Sequence, residues 1–283
     1  MINMVADRVH KVVLLSLFVI TASIYAEEMK IMPFGDSITY GDSFADNENP
    51  RPTGLREAYR SHLYYKLRDS DYEADFVGSV RAGESVSPAF DPDNEGHPGW
   101  SSYRLADHVN EFLEKNHANV ILVHAGTNDH SDNVHGVENI LNWIDYYEVQ
   151  SHKRVTVVLA LIINRKEYDK SISGLNSNIR KLASKRIAAG DDIVLVDMEH
   201  GAGLNSNDYA DTTHPNSYGY EKMANVWFKA LMELGDKPLE DNEVLREYPY
   251  TLIDKDHIDH IYVNNENSSV TFLADIPNSG IRF

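Results

Sequence analysis

The chain has 283 residues, 42% of them hydrophobic, enough for one large α/β domain or two small ones. Its 26 basic and 44 acidic side chains leave a net charge of −18, which argues against nucleic acid and anionic membrane as partners, because neutralising phosphates takes basic surface. It contains no cysteine, which excludes disulfides, thiolate metal sites and a cysteine nucleophile.

At the N-terminus, Arg8 and Lys11 precede an uncharged run over residues 12–26, with an apolar centre at 12–20. The run ends in Ile24-Tyr25-Ala26 and is followed by Glu27-Glu28. A charged start, a short apolar run and alanine before an acidic pair fit a secretory signal peptide, residues 1–26, cleaved after Ala26. The run is shorter than the roughly 18 residues a spanning helix wants. The expected location is therefore secreted or periplasmic, with no membrane association after cleavage.

The mature chain opens on an apolar stretch, Ile31-Met32-Pro33-Phe34, that reads as a strand ending in Gly35-Asp36-Ser37. Residues 57–68 read as a helix, with Tyr59, Leu63, Tyr64 and Leu67 on one face. Residues 74–80 predict a short strand, and residues 81–101 a long loop rich in Gly, Pro, Asp and Ser. Its acidic part, residues 91–95, lacks the spacing of a known calcium loop and reads as solvated. A second amphipathic helix spans 103–115. Residues 120–123 are a continuous apolar strand of the kind buried on both faces of a parallel sheet, and it runs into Gly126-Thr127-Asn128-Asp129.

A helix over 137–149, a strong strand over 155–163, a helix over 173–189, a strand over 193–197 and a helix over 217–234 complete a strict alternation. Such alternation indicates a parallel sheet covered on both faces. Five strands suggest a flavodoxin-like order, in which sites form outside the carboxyl ends of the strands. Ser37 and Asn128 both fall just past strand ends. The main domain is expected over 27–238. Residues 239–283 break the pattern into short alternating segments around 260–263 and 270–273, which read as a β-hairpin-like appendage of unknown role.

Four separated features can be combined: Ser37 in Gly35-Asp36-Ser37, Gly99 in Gly96-His97-Pro98-Gly99-Trp100, Asn128, and Asp211-Thr212-Thr213-His214 before the last helix. Acyl transfer needs a nucleophile, a base held in one tautomer by a carboxylate, and donors for the developing oxyanion. Ser37, His214 and Asp211 can supply the first two. The N–H groups of Ser37 and Gly99 and the Asn128 amide can supply the third, and glycine at 99 lets backbone approach a carbonyl. Trp100 and His97 are candidate substrate contacts, with loop packing the competing role for Trp100. Each piece alone reads as a turn or a helix cap; their joint order carries the assignment.

That order resembles the SGNH/GDSL hydrolases over roughly residues 29–234. The resemblance implies Ser37, Gly99, Asn128 and His214 as the signature residues, Asp211 as the third triad member, a three-layer α/β/α flavodoxin-like fold, and no metal or organic cofactor. Gly35-Asp36-Ser37-Ile38-Thr39 and Glu95-Gly96-His97-Pro98-Gly99-Trp100 are most similar to carbohydrate esterase family three, enzymes that deacetylate xylan. Residues 53–60 match the Gly-Tyr-Arg of those enzymes only loosely. The expected function is a secreted serine esterase on O-acetylated carbohydrate. A lipid- or thioester-directed esterase is the alternative within enzymes, and a non-catalytic glycan-binding protein the alternative outside them.

Overall fold

A computed structural model describes residues 29–235, 260–264 and 269–273. The expected signal segment lies outside the described residues, as does most of the expected appendage. Of that appendage, two strands are described, β8 (His260–Asn264) and β9 (Ser269–Leu273), and they pair antiparallel.

The central sheet is built on β1 (Met29–Gly35). One side of β1 pairs with β5 (Val120–His124), which pairs in turn with β6 (Thr156–Leu161) and then β7 (Ile193–Asp197), all parallel. On the other side, β2 (Ala74–Phe76) pairs with the start of β1 and β4 (Asp93–Gly96) with its end, Met29 opposite Ala74 and Phe34 opposite Glu95. Six strands thus fill five sheet positions in the flavodoxin-like order. A short β3 (Val80–Arg81) adds antiparallel to β4 at the edge.

Helices cover both faces. Along β5 the apolar side chains alternate, as the pleat dictates. Ile121 and Val123 join the core under α4 (Ser102–Lys115), α5 (His135–Ser151) and α6 (Lys170–Ala188). Val120 and Leu122 join the core under α3 (Ala58–Asp69) and α8 (Ser217–Leu234). Burying each such side chain contributes about 1.5–3 kcal/mol. Tyr59 of α3 and Trp227 of α8, both fully buried, meet with ring centroids 5.9 Å apart, closing that layer. Three one-turn helices, α1 (Ser37–Tyr40), α2 (Ala45–Glu48) and α7 (Met198–Gly201), sit in the connections.

Two sequence expectations are corrected. The strand expected over 74–80 is two strands broken at Val77-Gly78-Ser79, where Gly78 has φ +158° and the Val77 N–H returns to Ile31 O. The loop expected over 81–101 contains β4, and its acidic part is not solvated, since Asn94 and Glu95 are fully buried. Their polarity is met internally. The Asn94 amide donates to Pro92 O (2.9 Å) and accepts from the Gly96 N–H (2.9 Å), and the Glu95 carboxylate accepts from the N–H and hydroxyl of Ser79. Buried polar groups stay only where such partners exist, and no apolar run announces a strand of this kind.

Candidate active site

The sheet register brings the site together. Gly35 lies opposite Gly96 on one side and His124 on the other, so β1, β4 and β5 end level. Ser37, Gly99 and Asn128 follow those ends by two, three and four residues, so all three loops leave from one rim. Gly35 is required by this closeness, because a Cβ there would stand 2.4 Å from His124 O. The N–H of His97 donates to Gly35 O (2.9 Å), locking the β4 loop beside the serine turn.

Ser37 opens α1, and Asp36 caps it by accepting the Ile38 N–H (2.9 Å). Gly41 ends the turn in the left-handed region. Asp36 is fully buried; burial pushes its carboxyl up to about 6, and its Oδ2 faces Thr127 without a well-formed hydrogen bond. Fully buried Arg60 braces the same turn from beneath, donating to Thr39 O (2.9 Å), Tyr40 O (3.2 Å), Ala82 O (2.8 Å) and Pro92 O (3.1 Å). Carbonyl dipoles and the face of the Phe90 ring, 5.7 Å away, meet that charge, and burial lowers its pKa to about 10.

On the opposite side of the rim, residues 208–216 form a pinned hairpin-like turn, with Ala210 N–H on His214 O (2.8 Å) and Asn216 N–H on Asp208 O (2.9 Å). Asp211 and His214 lie at its tip. The Asp211 carboxylate accepts from His214 Nδ1 (2.9 Å), which assigns the proton to Nδ1 because a carboxylate has nothing to donate. His214 Nε2 is then free to accept the Ser37 hydroxyl, 2.9 Å away. Ser37 and His214 are nearly enclosed, at 7% and 4% exposure, so little water competes for this bond. Burial opposes the charge on Asp211. The N–H groups of His214, Phe44 and Thr213 outweigh it and hold the carboxyl below the usual range.

Gly99 has φ +77°, a conformation that favours glycine, and a Cβ there would project into open space. Among the described residues, no backbone carbonyl takes the N–H of Ser37 or Gly99. The Asn128 amide donates one proton to Trp100 O (2.9 Å), which fastens it to the Gly99 loop and leaves its second proton unused there. Asp129, next in sequence, accepts from the Ser102 N–H (2.7 Å) and hydroxyl, clamping the start of α4 to the β5 loop.

The other candidates are placed as follows. Trp100 is half-buried in a stack, with His97 at 4.2 Å centroid distance and the Arg104 guanidinium 4.2 Å over its ring. His97 also stacks on Phe112 (4.9 Å) and bonds Glu95 through Nε2 (2.8 Å). Packing occupies both rings. His124 is fully buried beneath the rim; burial lowers it to about 4, and its neutral ring accepts the Ile163 N–H through Nε2 (3.2 Å). Among the described residues no group of His, Asp and Glu is arranged to hold a metal.

Two parts of the site have no sequence signal. Arg165, after β6, donates to Thr127 O (3.0 Å) and to the Thr213 hydroxyl, while the Lys166 N–H reaches Thr212 O (3.0 Å). It ties the Asn128 loop to the His214 loop. Phe44 gives its N–H to Asp211 Oδ2 (2.8 Å) and sets its ring against His214. A lone arginine after a strand and a phenylalanine in a polar loop look ordinary in sequence.

Residues 34–222 match the GDSL-like Lipase/Acylhydrolase family. A family 3 carbohydrate esterase from Clostridium thermocellum is 28% identical, aligning over 74% of this chain and 97% of its own with a TM-score of 0.62. A carbohydrate esterase family 3 structure from Talaromyces cellulolyticus, 24% identical over 73% of this chain and 97% of its own, has the same fold with a TM-score of 0.61. A multidomain esterase from Ruminococcus flavefaciens is 29% identical over 238 residues, 73% of this chain, and this chain spans 29% of that protein's length.

Proposed function

The chain belongs to the GDSL-like lipase/acylhydrolase family, whose members hydrolyse ester bonds, and from that premise we propose that it removes O-acetyl groups from carbohydrate through an acetylated Ser37. The observation that carries the mechanism is the continuous chain Ser37 Oγ–His214 Nε2, His214 Nδ1–Asp211, with bonds of 2.9 Å at each step. Likeness to the Clostridium thermocellum carbohydrate esterase supports the substrate class. The high net negative charge is compatible with a neutral polysaccharide and disfavours a polyanionic one.

In the first half-reaction the Ser37 oxygen attacks the acetyl carbonyl carbon while its proton passes to His214 Nε2. Asp211 stabilises the imidazolium without taking the proton. The carbonyl oxygen becomes an oxyanion that accepts from the N–H groups of Ser37 and Gly99 and from Asn128 Nδ2; each such donor is worth about 2.7–4 kcal/mol in comparable sites. Collapse breaks the bond to the sugar oxygen, which takes the proton from His214. In the second half, water gives a proton to His214 and attacks the acetyl carbon, and Ser37 leaves with its proton restored, releasing acetate.

Residues 8–26 support export, which would bring the enzyme to polysaccharide outside the cytoplasm. The test is acetate release from acetylated xylan by wild type and Ser37→Ala, with 4-nitrophenyl esters of increasing chain length alongside. Ser37→Ala is expected to lose about 10³-fold or more in kcat, and the wild type to prefer acetyl. Full activity in Ser37→Ala sinks the mechanism, and rates that keep rising into long acyl chains sink the carbohydrate reading.

A further inference from the structure

The acyl-transfer reading fixes where the leaving group must be. His214 Nε2 returns its proton to the departing alcohol oxygen, so the sugar that carries the ester sits beside the imidazole during that step. The aromatic residue packed on that imidazole is Phe44, with ring centroids 4.9 Å apart and planes at 88°. Phe44 is nevertheless 49% exposed. An exposed aromatic on a free loop needs no explanation, but this one is fastened.

Its own N–H is committed to Asp211 Oδ2 (2.8 Å). Buried Asp46, two residues on, accepts from the N–H and hydroxyl of Ser43 (2.9 and 2.8 Å) and from Arg51 Nε and Nη2 (2.8 and 2.7 Å). Arg51 also reaches Gly41 O (2.8 Å), and Arg56 pairs with Asp42 and lies 3.3 Å from Asp46. Backbone and ion pairs therefore fix the loop on both sides of Phe44. The ring keeps a wet surface at the mouth of the site while its position relative to His214 is set.

We propose that Phe44 is a leaving-group contact of the site, packing against the sugar ring that bears the acetyl ester; this rests on the carbohydrate esterase reading above. The C–H face of a sugar ring is apolar and presents hydrogens, and the face of an aromatic ring is electron-rich, so the two surfaces are complementary. Because the carboxylate contact uses the Phe44 backbone, side-chain substitution leaves that hydrogen bond available.

The test compares two acetyl esters that give the same acetyl-enzyme and differ in leaving group, an acetylated xylo-oligosaccharide and ethyl acetate. The readout is the ratio of their kcat/KM values in wild type, Phe44→Leu and Phe44→Tyr, with each variant's thermal unfolding recorded. Leucine keeps apolar bulk against His214 and removes the ring face, and tyrosine keeps the ring. The ratio is expected to fall about fivefold or more in Phe44→Leu and to stay near wild type in Phe44→Tyr. A smaller fall in Phe44→Leu, including equal losses on both esters from a merely bracing ring, overturns the subsite while leaving the esterase reading intact. A wild type that favours ethyl acetate over the sugar ester overturns the carbohydrate reading and the subsite together.

Discussion

Asp36 sits beside Ser37, the proposed nucleophile, and its carboxylate makes no hydrogen bond to Ser37 or His214. It is wholly buried, bonds the Ile38 N–H, and has its carboxyl raised to about 6 by desolvation. A raised acid pKa means that the folded state holds a proton the unfolded chain has already lost. Between about pH 4 and pH 6 the group therefore makes stability fall as pH rises, and the full cost, on the order of 3 kcal/mol, is present at pH 7. Asp36→Asn keeps an acceptor for Ile38 and removes the titration. Its stability relative to wild type, measured by chemical denaturation, is expected to improve by about 2–3 kcal/mol between about pH 4 and pH 7. A gap that does not change with pH contradicts the assignment. Most residues brought together at the rim were legible in the sequence because each lies in a short pattern whose order could be checked. Phe44 and Arg165 were not, because their contributions depend on a backbone N–H and on bonds across 38 and 48 residues of sequence.

At the scale of elements, legibility followed the apolar signal. The strands β1, β5, β6 and β7 are apolar runs with both faces covered, and each appears where its run lies. The sequence Asp-Asn-Glu-Gly of β4 carries no such signal, because buried side-chain hydrogen bonds hold it against β1 in place of apolar burial. The loop after β6 is an equally silent element with a mechanical task. Through Arg165 and Lys166 it joins Thr127 O to Thr212 O and the Thr213 hydroxyl, so it sets the distance between the Asn128 loop and the His214 loop. Arg165→Met is expected to lower kcat on 4-nitrophenyl acetate about 10- to 100-fold with little change in KM, since small misplacements of reacting groups carry costs of that order. Arg165→Lys, which keeps the charge and one donor direction, is expected to recover part of it. Unchanged kcat in Arg165→Met would show that the two loops hold their spacing without this bridge.

At the scale of the whole molecule, a flavodoxin-like sheet gathers residues 37, 99, 128, 211 and 214 on one rim, and β1, β4 and β5 set three of the five by ending in register. The net charge of −18 disfavours polyanionic partners for the molecule as a whole. Composition argues against nucleic acid, but it could not name a sugar, which depends on loops whose shape only the folded chain displays. The proposed reaction passes through one covalent species, an acetyl group on Ser37. Rapid acid quenching of the enzyme mixed with an acetylated xylo-oligosaccharide, followed by peptide mass mapping, tests it most directly. The expected result is an acetyl adduct on the peptide containing Ser37, present in wild type and missing in Ser37→Ala. Turnover by Ser37→Ala at the wild-type rate, or an adduct confined to another residue, would contradict it.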